Sequence, residues 1–264
     1  MAGPGRGRTP KDHAHDAGGD PEVLAAKAAL REEAWQAVVD AEAARFPGAF
    51  HRIPNFVGAE AAAEALRDTS AWADAVTVKS NPDSPQWPVR QRALEDGKTV
   101  FMAVPRLAEA HPFVALRPDE IPVTPRKAAS IKGSSVHGVP VAVEALEPVD
   151  LVITGCVAVD EAGGRLGKGG GFADLEFAIA QEAGMITEDT IVATTVHDCQ
   201  VVDVGRIPVT QHDAPLDLIV TPTRVIEVSG RRPRPAGIRW DELTDDKIAA
   251  IPLLQRLAAR KDRT

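Results

Sequence analysis

The sequence predicts an α/β protein in which helices cover a mainly parallel sheet. Three observations carry that expectation. Residues 149–157, 190–195 and 216–221 are short, continuous apolar runs, as strands buried on both faces require. Segments whose apolar residues recur at helical spacing alternate with them along the chain. A glycine-dense stretch, Gly163-Gly164-Arg165-Leu166-Gly167-Lys168-Gly169-Gly170-Gly171, lies between the first run and a helical pattern that begins at Phe172. Strand, glycine loop and helix start is how an α/β protein offers backbone N–H groups to a phosphate, and Arg165 and Lys168 add positive charge.

The elements follow in order. Residues 1–20 are rich in Gly, His, Asp and Arg and are expected to be a disordered tail, with residues 21–264 forming one domain. Residues 21–45 read as a helix: Leu24, Ala28, Trp35, Val38 and Val39 recur between charges, Asp20 suits the cap and Pro21 the first turn. Pro47-Gly48 stops it. An alanine-rich helix is expected over 59–67 and a short strand over 75–79, broken by Asn81-Pro82-Asp83-Ser84-Pro85. A helix over 87–95, a turn at Gly97 and a strand over 99–104 come next. The three apolar runs supply further strands, with a helix over 172–184 after the glycine loop. Residues 230–237 are basic and proline-rich, hence a loop or extended arm, and 241–259 form a last helical region interrupted at Pro252.

Composition bounds the function. The chain has 264 residues, 44% of them apolar, enough for a substantial core. Its net charge of −8 argues against a general nucleic-acid or anionic-membrane surface, while allowing a local basic pocket. With two cysteines, Cys156 and Cys199, a disulfide framework is not expected and a reducing cytoplasm fits. No apolar stretch reaches membrane-spanning length, and the first 20 residues lack the apolar core of a secretory signal. Monomer and homodimer both stay open.

The glycine loop is not a P-loop, because no Ser or Thr follows Lys168, and no Gly-x-Gly-x-x-Gly opens it. Its sequence from Arg165 to Asp174 resembles the nucleotide loop of 5-formyltetrahydrofolate cyclo-ligases, also called methenyltetrahydrofolate synthetases, which reads Arg-Leu-Gly-Tyr-Gly-x-Gly-Tyr-Tyr-Asp-Arg. It is more similar to the methenyltetrahydrofolate synthetase domain-containing branch, where the loop reads Gly-Lys-Gly-x-Gly-aromatic-Ala-Asp-Leu-Glu. His51-Arg52-Ile53-Pro54-Asn55-Phe56, Thr195-Val196-His197-Asp198-Cys199-Gln200-Val201-Val202-Asp203 and Thr221-Pro222-Thr223-Arg224-Val225-Ile226 resemble that branch too.

The resemblance spans roughly residues 26–257. It implies one Rossmann-like domain similar to the ribose-isomerase and CoA-transferase group. It also implies ATP-dependent conversion of 5-formyltetrahydrofolate to 5,10-methenyltetrahydrofolate, with a folate substrate, ATP and Mg2+. The alternative is a nucleotide-binding regulatory protein on the same fold without that activity.

Lys27 and Arg31 lie four apart and share a helix face, which by pattern alone suits solvent. The resemblance makes them phosphate-binding cations, with Lys27 and Lys168 as the catalytic pair. Arg165, Gly167, Lys168, Gly169, Gly170, Gly171 and Phe172 would line the nucleotide. Asp174 fits either a helix cap or, as the resemblance implies, a magnesium ligand, with Asp217 as a second carboxylate. The pairs His197-Asp198 and His212-Asp213 invite an acid–base reading, but neighbours on a strand face opposite ways. Arg90, Arg106 and Arg126 suit either solvent or the glutamate tail of a folate.

The departures are uneven. Lys168 stands where cyclo-ligases have Tyr, Phe172-Ala173 where they have Tyr-Tyr, and Leu175 where they have Arg; the chain has no tyrosine. The carboxylate with which cyclo-ligases hold the folate has no clear counterpart around 75–83. The nucleotide half is better kept than the folate half, which implies a weakened cyclo-ligase.

Overall fold

The computed structural model describes residues 20–104, 111–230 and 232–261, so the tail expected over 1–20, Asp20 excepted, and Arg106 lie outside the described residues. Helix α1 (Pro21–Asp40) has the predicted start: Asp20 accepts from the Glu22 N–H at 2.8 Å. It stops short of residue 45 because Glu42 takes a left-handed φ of 52° and the Ala43 N–H turns back to the Val38 carbonyl at 3.0 Å.

Next come α2 (Ala59–Arg67), α3 (Ser70–Asp74), β1 (Thr77–Ser80), α4 (Trp87–Glu95), β2 (Thr99–Ala103) and β3 (Phe113–Leu116). The middle of the chain adds α5 (Pro125–Ala128), α6 (Ile131–His137), β4 (Val139–Val141), β5 (Leu151–Ile153), β6 (Ala158–Asp160) and β7 (Arg165–Leu166). Helix α7 (Phe172–Glu182), β8 (Ile191–Thr195), β9 (Val201–Val202), β10 (Leu218–Val220), β11 (Val225–Glu227), α8 (Asp245–Ala250) and α9 (Pro252–Lys261) complete it.

Among the described residues the large sheet has the order β11-β10-β8-β5-β1-β2-β3-β4. Its centre, from β10 to β2, is parallel; β11 on one side and β3 and β4 on the other are antiparallel. The parallel centre follows from the apolar runs. Leu151 and Ile153 face a layer with Leu66 of α2 and Val89 of α4, while Val152 faces α7, Leu253 and Leu254. A small sheet, β7-β6-β9, packs with Trp35 and Val38 of α1, Ile53 and Leu166 in a third core.

The run 149–157 is not one strand. The chain leaves the large sheet after Ile153, and residues 154–157 carry it to β6. The glycine loop therefore follows β7 of the small sheet rather than the central strand. The β6–β7 hairpin is tied by Asp160, whose carboxylate accepts from the Ala162 and Gly164 N–H groups at 3.1 and 2.8 Å. Helix α7 runs back under the large sheet, since the Val149 N–H, just ahead of β5, meets the Met185 carbonyl at 2.9 Å. This sets the glycine loop at the carboxyl ends of the parallel strands, where open α/β sheets bind ligands. Among the described residues no helix is long and apolar enough to cross a membrane.

The basic arm is fastened. Arg234 donates to the Thr187 and Thr190 carbonyls and to Asp217, and beyond it Ile251, Leu253 and Leu254 are buried against the α7 side of the core. We expect Leu254→Ala to lower the unfolding free energy by about 2–5 kcal/mol in urea titrations, as deletion of a buried leucine does. A loss below about 1 kcal/mol would show the C-terminal helices to be an appendage rather than part of the core.

Candidate functional site

At the carboxyl edge of the sheet, α1, the glycine loop, the start of α7 and the segment 210–214 converge. The glycines do two jobs there. Gly169 and Gly171 take left-handed backbone (φ 93° and 61°), and a Cβ on Gly169 would come within 3.2 Å of the Arg31 guanidinium. The turn thus lies flat against a cation. Arg31 Nε donates to the Gly167 carbonyl at 2.8 Å, which fixes the near end of the loop.

Lys27 is buried, one turn before Arg31, and its ammonium meets both carboxylate oxygens of Asp213 at 2.7 and 2.9 Å. Solvent is therefore not its environment. Arg165 is buried as well: Nε donates to the Ala214 carbonyl at 3.0 Å and Nη2 is paired with Asp174, while Nη1 has no partner. A buried guanidinium N–H without an acceptor is costly, and it fits an anionic ligand beside the loop. Gly171 gives α7 no side-chain cap, so no side chain takes up the first-turn N–H groups in that way. Donor set, glycine turn and helix start together suit the phosphates of a nucleotide. Lys168 is exposed, with Nζ 3.7 Å from Asp83.

The other half of the edge was not read from the sequence. Lys79, in the middle of β1, is 1% exposed and is ion-paired with Glu176 of α7. The Asn81 N–H continues β1 by bonding to the Ile153 carbonyl at 3.0 Å, and Gln86 reaches across to the Thr195 carbonyl at 3.2 Å. Arg90, on α4, holds the loop between them, donating to the Asn81, Asp83 and Ala129 carbonyls at 2.6, 3.1 and 2.9 Å. Ile53 of the segment 51–56 and the Asp83 carboxylate both press on Gly155, where a Cβ would lie 3.1 and 2.8 Å from them. The sequence signals for this half were the Asn-Pro-Asp-Ser-Pro turn, the segment 51–56 and Arg90, which was expected in solvent or at a folate tail and is instead buried against backbone carbonyls.

The expected residues divide accordingly. Lys27, Arg31, Arg165, Gly167, Lys168, Gly169, Gly170, Gly171, Phe172 and Asp174 are brought together by the fold. Asp174 meets Arg165, and its Oδ1 also accepts the Ala214 N–H at 3.3 Å, so its first role here is to hold the guanidinium. Asp217 is not brought to the loop. It precedes β10 at the opposite edge and accepts from the Val192 N–H at 2.8 Å and Arg234 at 2.9 Å. Among the described residues no group of three or more His, Cys, Asp or Glu is arranged for a metal.

The His-Asp pairs lie in turns rather than on strands, and His212 Nε2 stays 4.0 Å from Asp213. His197 caps a short turn and lies 3.1 Å from the Cys199 sulfur; Asp198 accepts from Thr221 and Thr223. His212 contacts Glu242 at 3.0 Å, while Asp213 belongs to Lys27. Arg126 stacks over Trp87 at 4.7 Å.

Burial and pairing set the titrations. Burial would raise the Asp213 carboxyl, but the Lys27 ammonium and the Thr210 donors outweigh it and hold it below its ordinary range. At Glu176 burial wins over Lys79 and pushes the carboxyl up. Burial also draws the Arg90 guanidinium down to about 10, with Asp83 opposing.

Comparison with known proteins adds a second line. The 5-formyltetrahydrofolate cyclo-ligase family profile matches residues 23–222. A methenyltetrahydrofolate synthase domain-containing protein of Bos taurus is 39% identical over 92% of this chain, and that of Mus musculus 41% over 89%. The chain spans 65% and 64% of the length of these two relatives. A 5-formyltetrahydrofolate cyclo-ligase of Escherichia coli is 32% identical over 53% of this chain and 72% of its own. The solved 5,10-methenyltetrahydrofolate synthetase of Aquifex aeolicus shares the fold, with TM-score 0.50 at 20% identity over 78% of this chain and 95% of that one.

The two buried carboxylates predict opposite pH slopes. Asp213 is depressed, so its stabilisation is complete above the unfolded value of about 4 and is lost as pH falls through the folded value. Glu176 is raised, so its contribution is largest below the unfolded value and declines as pH rises through the folded one. Urea midpoints measured across the acid range should show a flatter acid limb in Asp213→Asn and a flatter decline toward neutral pH in Glu176→Gln. Slopes equal to wild type in both would contradict these assignments.

Proposed function

The chain belongs to the 5-formyltetrahydrofolate cyclo-ligase family, and on that premise we propose that it converts 5-formyltetrahydrofolate to 5,10-methenyltetrahydrofolate at the expense of ATP. The observation that carries the proposal is the meeting of Lys27, Arg31 and Arg165 at the glycine loop, with Arg165 Nη1 buried and unpartnered.

When bound, ATP supplies the phosphoryl group that makes the formyl oxygen a leaving group, so that N10 closes the ring and phosphate departs. The chain's own part is positioning and charge. Arg165, fixed by Asp174 and the Ala214 carbonyl, turns its remaining N–H toward a phosphate oxygen. Lys27, held by Asp213, adds a positive charge that does not have to be ordered on binding. Arg31 keeps the loop open by its bond to the Gly167 carbonyl. Lys168, tethered only loosely to Asp83, is free to move onto a terminal phosphate. Magnesium prefers few carboxylates plus phosphate oxygens and water, and Asp174 is the one nearby carboxylate of the expected pair; Asp217 takes no part.

The test is turnover of 5-formyltetrahydrofolate with Mg-ATP, followed by methenyl absorbance. The wild type should turn over. Lys168→Ala, an exposed change that leaves the fold alone, should raise the KM for ATP roughly tenfold, the worth of one charge-assisted hydrogen bond of about 1.5 kcal/mol. No turnover by the wild type overturns the proposal, and an unchanged KM removes Lys168 from the phosphate site.

A further inference from the structure

The segment 210–214, which supplies Asp213 to Lys27 and the Ala214 carbonyl to Arg165, is itself held by residues beyond the cyclo-ligase match. That match ends at residue 222, and the chain returns to this segment through residues 238–247. The return starts from a firm base: the Ile238 N–H donates to Glu182 Oε1 at 2.8 Å, at the end of α7, and Ile238 is buried. The Arg239 guanidinium then donates to Gln211 Oε1 at 2.8 Å and is ion-paired with Glu242 at 2.6 Å. Glu242 Oε2 in turn lies 3.0 Å from His212 Nδ1. Helix α8 meets the glycine loop as well. It brings Lys247 over the Phe172 ring, the same ring that a Cβ on Gly170 would touch at 3.1 Å.

Hydrogen-bond direction fixes the charge of His212. Asp213 is a carboxylate, since Lys27 pairs with both of its oxygens. A carboxylate only accepts, so the Thr210 hydroxyl spends its one proton on Asp213 Oδ2 at 2.9 Å. The hydroxyl oxygen lies 3.0 Å from His212 Nε2 and must accept there, so Nε2 carries a proton. Nδ1 faces Glu242, which Arg239 keeps as a carboxylate, so Nδ1 carries a proton too. His212 is therefore an imidazolium, with one N–H given to Glu242 and the other to Thr210; Asp213 Oδ1, 4.0 Å from Nε2, adds a second negative charge.

One line of contacts thus runs from Arg239 through Glu242, His212, Thr210 and Asp213 to Lys27. Its inner end is buried, whereas His212 and Glu242 are partly open and can be altered without opening the core. We propose that Glu242 is a positioning residue of the phosphate site: through the His212 imidazolium it holds the segment 210–214, and thereby sets where Lys27 and Arg165 present their charge. If His212 lets go, the Thr210 hydroxyl is free to turn, Asp213 loses a fixed donor, and the Lys27 ammonium moves with its carboxylate. Charges that must be re-ordered on binding stabilise an anion less than charges already in place. The proposal rests on the nucleotide reading of the glycine loop and not on the folate chemistry.

Calorimetry with ATP on the full chain reads the effect without turnover. Glu242→Ala should weaken ATP about five- to tenfold, as loss of a charge-assisted contact acting at one remove would. Glu242→Gln keeps an oxygen that accepts from Nδ1–H and should recover most of that affinity. His212→Gln keeps a donor for Thr210 but loses the link to Glu242, so it should weaken ATP as Glu242→Ala does, and the double variant no further. In steady-state kinetics the KM for ATP should rise in the same variants while the KM for 5-formyltetrahydrofolate stays level. NMR of the wild-type His212 ring at neutral pH should show both nitrogens protonated. ATP affinity within about twofold of wild type in Glu242→Ala and His212→Gln, even with a lowered melting temperature, marks a merely structural contact and overturns the proposal. A neutral His212 ring, or losses that add in the double variant, overturns it too. Should Glu242→Ala not fold, His212→Gln alone decides. Weakened ATP binding in the variants of a protein that does not turn over folate upholds the positioning role and defeats the cyclo-ligase reading alone; no ATP binding by the wild type defeats both.

Discussion

An ammonium in the middle of a central strand is tolerable only if something meets it there, and Glu176 meets Lys79. Breaking such a pair from one side typically costs about 3–5 kcal/mol, because a desolvated charge is left alone. The pair joins two layers that apolar packing would hold less specifically. Lys79 belongs to the sheet and Glu176 to the second turn of α7, so the helix cannot slide along the sheet without stranding both charges. Because α7 begins right after the glycine loop, the pair also fixes how far the loop stands from the end of β1. One buried interaction thereby sets the distance between the two halves of the site.

The same rule governs the rest of the edge. Lys27 and Asp213 are 186 residues apart in sequence and meet with almost no access to solvent. Arg165 is closed by Asp174 on one side and the Ala214 carbonyl on the other. Consecutive residues, Asp213 and Ala214, thus serve two different cations, so the segment 210–214 acts as a strap across α1 and the glycine loop. The charges here are already desolvated and oriented by the fold, which is the condition under which electrostatic stabilisation of a bound anion would be largest.

How much of this could be read beforehand differs by residue. The glycine loop was legible because left-handed turns and close approach to a cation demand glycine, whereas the spacing of Lys27 and Arg31 suited solvent and only the family resemblance picked them out. Helices α2 and α4 came out at their predicted bounds, since alanine content and Pro88 at the first turn are local signals. Asp217 was misplaced because matching a carboxylate to a strand says nothing about which end of the strand it sits at. Lys79, Asn81, Gln86 and Glu176 went unread because their signal is burial of polar side chains, paired in Lys79 and Glu176, which exists only after β1, β5, β8 and α7 are assembled. A polar residue in a short strand reads as solvent-facing, and Asn-Pro-Asp-Ser-Pro reads as a turn. The hairpin β6–β7 was hidden for the opposite reason: it extends an apolar run with no break in pattern.

The aromatic residues near the site are already engaged within the protein. Phe172 has the Lys247 ammonium 5.8 Å from its ring centroid, so α8 has already brought a cation to that ring. Phe56 is fully buried and lies edge-on to His197, and Trp87 carries the Arg126 guanidinium at 4.7 Å while its own N–H meets the Arg126 carbonyl at 3.0 Å. Each of these rings is engaged within the protein, and a cation–π contact of about 0.5–1 kcal/mol must be given up before a heterocycle takes the same face. Stacking is thus a weak handle here. On the proposed folate reading, a flat substrate would gain little from these rings unless their internal contacts are first released.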